Sequence, residues 1–242
     1  MKRSVIHIAL SLLTITACVQ GAEKESALDI VNKAIKNAGG RKALAKYLSM
    51  TWKDKGTYYG MGAGIPYTGT YAAVFPGKFR MTIEGGFTKV LNGDKGWFNS
   101  NGETKEMEKD QVAEEKEGQY SSWITTLLPL SEKPFKLSLI GNSKIGDVDA
   151  TGVMASSKGH RDVELYFDKK SGLLIKSQYS VKAEELDGKE VQFEVFYGDY
   201  KDFAGAKLPT SLLMKQDGKK YVQTEQSEIT PAEFGDDAFA KP

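Results

Sequence analysis

The sequence predicts a mainly β chain with a few helices (an α+β fold). We expect one curved antiparallel half-barrel sheet of about 10–11 strands wrapped around helical lid or plug segments. Three observations carry this expectation. From residue 51 almost to the end, apolar and polar residues alternate, the pattern of strands with one buried face. Glycine, proline and asparagine turn signals punctuate that alternation. Helical spacing is confined to residues 25–48 and to one stretch over 106–128. A sheet with so many strands curls, because twist accumulates from strand to strand.

Residues 1–22 read as an export address. Lys2 and Arg3 precede an apolar run over 5–17, and Ile15-Thr16-Ala17-Cys18 fits a bacterial lipobox ending at the sole cysteine. On that reading the Cys18 thiol is acylated and tethers the mature protein to a membrane. The alternative is an ordinary signal peptide cut after Val19-Gln20-Gly21. Either route exports the chain, to the periplasm or to a membrane anchor at the cell envelope. Val19 is not the aspartate that signals inner-membrane retention, which favours the outer membrane if the anchor exists. Residues 23–242 then form a single half-barrel domain, expected as a monomer.

The chain carries 33 Lys and Arg against 32 Asp and Glu, and loss of Lys2 and Arg3 tips the balance to about −1. Nothing in that balance calls for nucleic acid. With Cys18 acylated or removed, no disulfide forms within the domain, and core burial must hold it.

Ala27, Ile30, Val31, Ala34 and Ile35 recur at helical spacing, so residues 25–38 read as an amphipathic helix ended by Gly39-Gly40. A shorter helix follows over 41–48, with Leu44 and Leu48 four apart. Both are placed against the inner face of the sheet.

Period two then takes over. Tyr67, Gly69, Tyr71, Ala73 and Phe75 share one side of a strand, and Pro76-Gly77 turns the chain. Phe79, Met81 and Ile83 share a side of the next. Gly85-Gly86 and Asn92-Gly93-Asp94 mark further hairpins before Gly96-Trp97-Phe98. The meander is interrupted over 106–128. The front half of that stretch is crowded with Glu and Lys, while Tyr120, Trp123, Ile124, Leu127 and Leu128 form an apolar face that Pro129 ends. This reads as an exposed polar half followed by a helix burying Trp123. Strands resume with Phe135, Leu137 and Leu139, then Val163, Leu165 and Phe167, then Leu173, Ile175, Tyr179 and Val181. Val191, Phe193, Val195 and Tyr197 follow, and Leu212, Met214, Tyr221 and Thr224 close the set.

Catalysis needs convergent groups, and few are present. There is no Gly-x-Ser-x-Gly elbow, no His-Glu-x-x-His and no phosphate-cradling glycine loop. Outside the leader His160 is the one histidine, read as a solvated loop residue. Asp147 with Asp149 and Asp236 with Asp237 read as polar turns. The chain is therefore expected not to be an enzyme and to need no cofactor or metal.

Several stretches resemble the outer-membrane lipoprotein carriers and receptors, the LolA- and LolB-like proteins. They are the exported N-terminal helix, Pro76-Gly77-Lys78-Phe79-Arg80, Asn92-Gly93-Asp94-Lys95-Gly96-Trp97, the hairpin from Phe167 to Ile175, and Tyr197-Gly198-Asp199-Tyr200 with Phe203-Ala204-Gly205-Ala206-Lys207-Leu208-Pro209. The resemblance implies a half-barrel whose helices form a lid over an apolar cavity for acyl chains. It also implies a role for Arg80. In the carriers the matching arginine hydrogen-bonds to lid backbone and keeps the empty cavity closed; a surface arginine at a strand edge is the alternative here. In the receptors an exposed apolar loop delivers the lipid, and residues 60–66, with Met61 and Ile65, are the candidate; a plain hairpin is the alternative.

Each methylene moved from water into an apolar pocket gains roughly 0.8 kcal/mol, so an acyl chain needs no polar contact to be held. The candidate lining residues are Tyr71, Phe79, Met81, Trp123, Phe167 and Phe193, each of which is otherwise a packed core residue. Two functions follow: a non-enzymatic envelope protein binding lipid or acylated lipoprotein in lipoprotein sorting or transport, or an anchored interaction module with the same fold and a filled core.

Overall fold

A computed structural model describes residues 25–183 and 188–242. The expected export address and Cys18 lie outside the described residues. Helix α1 (Ala27–Asn37) starts at a Ser26 capping box, with Ser26 Oγ accepting from the Asp29 N–H at 3.2 Å. Helix α2 (Arg41–Ala45) runs into a 3-10 turn over Lys46–Leu48. A meander follows: β1 (Ser49–Tyr58), β2 (Ile65–Val74), β3 (Lys78–Ile83), β4 (Phe87–Asn92), β5 (Lys95–Ser100) and β6 (Glu103–Glu106). Helix α3 (Lys109–Thr125) and a 3-10 turn over Leu128–Ser131 interrupt it.

The chain then forms β7 (Lys136–Ile145), β8 (Val148–Ser156), β9 (Val163–Asp168), β10 (Leu174–Ala183) and β11 (Lys189–Gly198). A small hairpin, β12 (Lys201–Phe203) and β13 (Ala206–Leu208), precedes β14 (Ser211–Gln216) and β15 (Lys219–Pro231). Thirteen strands make one antiparallel sheet in the order β6-β5-β4-β3-β2-β1-β15-β14-β11-β10-β9-β8-β7. Among the described residues the sheet has more strands than the 10–11 expected, and the β12–β13 hairpin stands apart from it. The sheet is curved and not closed into a barrel; β6 and β7 are its free edges.

This order gives α3 its place. The meander ends at one edge, and the next strand in sequence starts the other, so α3 crosses from edge to edge. Its 17 residues reach about 25 Å at 1.5 Å per residue.

Cross-strand register separates the two faces. Residues directly opposite share a face, which puts Trp52, Tyr71, Met81, Lys89 and Phe98 in one inner row. Ala73, Phe79, Leu91 and Gly96 form the row beside it. Across the sheet Leu139, Val153, Leu165, Ser177 and Val195 continue the inner face. The main core joins this face to the helices: Val31, Ala34, Ile35, Leu44, Ile124 and Leu128 pack with Val153, Ala155, Val163, Leu165, Phe167 and Leu174. A second cluster lies on the outer face, where Phe239 buries against Val90 and Trp97. No helix among the described residues is long and apolar enough to cross a membrane.

Candidate functional site: the inner face and its strap

The inner face carries aromatic groups on either side of the central strands. Tyr71 stacks on Trp52 at 5.0 Å between centroids, with Phe79 6.2 Å from Tyr71. Phe193 lies 5.6 Å from Tyr179 and 6.0 Å from Tyr221, which meets Tyr58 edge-on. Tyr71, Phe79, Met81 and Phe193 are each half-buried. The structure thus gathers Tyr71, Phe79 and Met81 in one patch and sets Phe193 in another.

The other candidates lie elsewhere. Phe167 is only 2% exposed and fully packed among the helices, so it holds the core together and offers no surface to a guest. Trp123 is half-buried at the end of α3, edge-on to Tyr120 and Phe135 at 5.7 and 5.9 Å. The face that α3 buries is Val112, Gln119, Ser121 and Ile124, which turns Trp123 toward its rim. The polar and apolar halves read from the sequence are one continuous helix.

Arg80 is on the outer face, because it pairs with Ala72 and Val90, opposite in parity to Phe79. Its Nη2 donates to the Ala240 carbonyl at 3.1 Å and so ties down the C-terminal segment; Asn92 Nδ2 does the same for Phe239 at 3.3 Å. The expected bond from an arginine to helical backbone comes from Arg41, whose Nη1 donates to the Leu128 carbonyl at 3.0 Å and whose Nη2 bonds Ser131. Sequence reading placed Arg41 only at the start of a helix.

Polar contacts from both arms of the sheet hold α3. Lys89 Nζ on β4 meets Glu115 at 2.5 Å, and Lys116 pairs with Asp94 in the β4–β5 turn. From the other arm Arg161 forks onto Glu114, with Nη1 at 2.6 Å, and the Lys182 N–H donates to the same carboxylate at 2.8 Å. Burial alone would raise Glu114's pKa, but Arg161 and the Lys182 N–H outweigh it and hold the carboxyl below its usual range. Glu114 in turn raises the Arg161 guanidinium. His160 is part of this contact: its ring stacks on Tyr120 at 3.6 Å, and its Nδ1 lies 2.7 Å from Glu117.

A polar patch sits at the centre of the inner face. Asp54, 5% exposed, shares the face of Trp52 and accepts from Gln226 Nε2 at 3.2 Å. Burial pushes its carboxyl up to about 6, against the pull of donors on Gln226, Tyr71 and Trp52. Burial and the neighbouring Asp54 charge push the Tyr71 hydroxyl far up, and burial raises Tyr67 as well. Trp52 Nε1 and Thr224 Oγ1 are buried there without an aligned hydrogen-bond partner.

Two hollows open on the outer face. One of about 260 Å³ lies along β1 and β2 beside Thr70, Ala72, Arg80 and Glu228. The other, about 410 Å³, is polar and lies between Glu164, Gln178, Glu190 and Gln192, with Arg161 at its rim. Neither is the apolar inner cavity expected for an acyl chain. Among the described residues no group of three or more His, Cys, Asp or Glu is placed to hold a metal ion. The loop between β1 and β2 presents Met61, 79% exposed, and Ile65, 49% exposed.

No protein-family model and no curated protein matches the sequence. Solved structures do match the fold. A LolA superfamily protein from Nitrosomonas europaea superposes with a TM-score of 0.57 at 13% identity, covering 89% of this chain and 98% of its own. A DUF1329 family protein from Desulfovibrio piger gives 0.58 at 8% identity, covering 90% and 98%. The chain has a LolA-like fold.

Proposed function

We propose that this protein is a non-enzymatic cell-envelope binder of acyl chains, lipid or acylated lipoprotein, which it takes between the inner face of the sheet and α3. One observation carries the reading. The helix that spans the two edges rests on β4, β9 and β10 and is fixed there in large part by ion pairs, while Tyr71, Phe79, Met81 and Phe193 on the same inner face stay half-buried. The Lys89–Glu115 and Arg161–Glu114 pairs are only about a quarter exposed, so each contributes on the order of 1–2 kcal/mol and lifting the strap costs a few kcal/mol. A guest chain gains roughly 0.8 kcal/mol per methylene buried and offsets that cost within a few carbons.

On this reading the hollow forms as α3 moves away from the sheet. Cys18 acylation and export put the domain at the envelope, as a monomer, with Met61 and Ile65 available to touch a membrane or a partner that passes the guest on. The test is organic extraction of the protein purified from envelopes, followed by mass spectrometry. Acyl guests at near one per protein support the reading, and their absence, together with no uptake of a fluorescent dodecyl probe, refutes it. Intact mass separately reports whether Cys18 carries a diacylglyceryl group.

A second reading is an anchored interaction module with a permanently filled interior. It is favoured by the packing of Phe167, Leu165 and Val163 against the helices, which leaves that arm of the sheet no room for a guest.

A further inference from the structure

The inner face has an oddity that an acyl-chain binder does not require: a carboxyl at its centre. Asp54 stands in the middle of β1, next to β15, at the heart of the sheet. Burying a charge without a partner is costly, and an apolar residue would serve the sheet better. Among the described residues no Lys, Arg or His pairs with it. The groups facing it are neutral: the Gln226 amide, which donates at 3.2 Å, the Tyr71 hydroxyl and the Trp52 indole.

Two inner positions beside this carboxyl carry no side chain. The residue directly opposite Asp54 on β2 is Gly69, and the next inner position on β1 is Gly56. A Cβ at Gly69 would lie 2.9 Å from the Tyr71 ring, and one at Gly56 would lie 2.6 Å from the Gln223 carbonyl. Both glycines weaken their strands and are retained where the Tyr71 ring and the β15 backbone approach closely. Thr224 Oγ1 and Trp52 Nε1, on residues more than nine-tenths buried, are left without an aligned partner beside the carboxyl.

We propose that Asp54, with Tyr67, Tyr71, Thr224 and Gln226, forms a subsite that takes the protonated amine of an amine-bearing amphiphile. This rests on the acyl-binding reading above and adds a selectivity to it. The ammonium supplies the missing counter-charge and hydrogen bonds to Asp54 and to the Tyr67 and Thr224 hydroxyls. A neutral guest gains only chain burial. An anionic guest meets a like charge in a low-dielectric setting and is disfavoured.

The titratable groups facing Asp54 are Tyr67 and Tyr71 from β2; Trp52 on β1 and Gln226 and Thr224 on β15 do not titrate. Both phenols stay neutral over the physiological range, so the charge of the subsite is that of Asp54. Burial pushes that carboxyl up to about 6, and the selectivity for amines fades below that pH.

The test compares dodecylamine, dodecanol and dodecanoate as competitors of a fluorescent dodecyl probe, near neutral pH, on the wild-type protein and on Asp54→Asn. The subsite predicts that dodecylamine binds wild type on the order of tenfold tighter than dodecanol, with dodecanoate weakest. Asp54→Asn abolishes the amine preference and keeps dodecanol affinity. Equal affinities in wild type, or a preference that survives Asp54→Asn, overturn the subsite while leaving acyl binding intact. If none of the three competes and the probe itself does not bind, the acyl-binding reading falls, and the subsite with it. Should Asp54→Asn fail to fold, the amine-to-alcohol ratio of wild type across pH decides. It must fall on acidification through about 6, and a flat ratio overturns the proposal.

Discussion

Helices α1 and α3 lie against the same curved sheet and are held by different forces. α1 buries Ala27, Ile30, Val31, Ala34 and Ile35, an unbroken apolar stripe. α3 buries Val112 and Ile124 with the polar Gln119 and Ser121, and fixes its flanks through Glu114, Glu115, Lys116 and Glu117. The first attachment behaves as a plug: its free energy is buried area, and no part of it detaches without exposing the rest. The second behaves as a strap, because part-buried ion pairs carry much of its attachment and their charges regain water when it lifts.

The largest expected effect breaks the plug. Phe167→Ala removes a fully buried ring from the core and should cost about 3–5 kcal/mol, read as a loss of Tm and of denaturant midpoint. Removal of Trp123, half-buried at the strap's end, should cost markedly less.

Next is Asp54. Its folded pKa, about 6, lies above the ordinary 3.8, so the folded state binds the proton more tightly than the unfolded chain does. The protonated form's stability is fully present below about pH 3.8 and is lost as pH rises through 6, an amount on the order of 2–3 kcal/mol. Asp54→Asn should therefore raise stability at neutral pH and flatten the pH dependence between those values. A variant as pH-dependent as wild type would count against a buried carboxyl there.

Glu114→Gln should cost about 1–2 kcal/mol or less, since it weakens the Arg161 fork and the bond from the Lys182 N–H. Its signature is local: faster amide exchange over 109–125 with α1 unchanged, and faster uptake of a fluorescent dodecyl probe. The smallest effect is salt. Raising ionic strength from ~0.01 to ~1 M shortens the Debye length from about 30 to 3 Å and should loosen α3 alone.

How much of this was legible depended on which force was at work. The stripe of α1 is written at 3.6-residue spacing, and its core role follows. The strap is not written that way, because Glu114 to Glu117 look like any solvated run, and their partners at Lys89, Arg161 and Lys182 lie far away in sequence. His160 is the exposed loop residue expected, and its contacts with Tyr120 and Glu117 are hidden from the sequence for the same reason.

Arg80 is a different kind of miss. Strand parity forbids Phe79 and Arg80 from facing the same side. Phe79 points in, so Arg80 points out, toward Ala240. Asp54 carried a similar signal, sharing parity with Trp52 inside the charged stretch Lys53-Asp54-Lys55. Which face of the sheet would be covered, and by what, depended on the strand order β6 to β7, and no local pattern encodes that.

The central claim is that α3 must lift for a guest to enter. It is tested most directly by replacing Lys89 and Glu115, whose side-chain tips meet at 2.5 Å, with cysteines in a protein whose Cys18 is serine, and bridging them with a bifunctional thiol reagent that spans the lost ion pair and forms a reducible disulfide at each end. Binding of a fluorescent dodecyl probe is then measured with the pair bridged and reduced. The account predicts that the cross-link abolishes binding and that reduction restores it to the wild-type level. Equal binding in both states would contradict it.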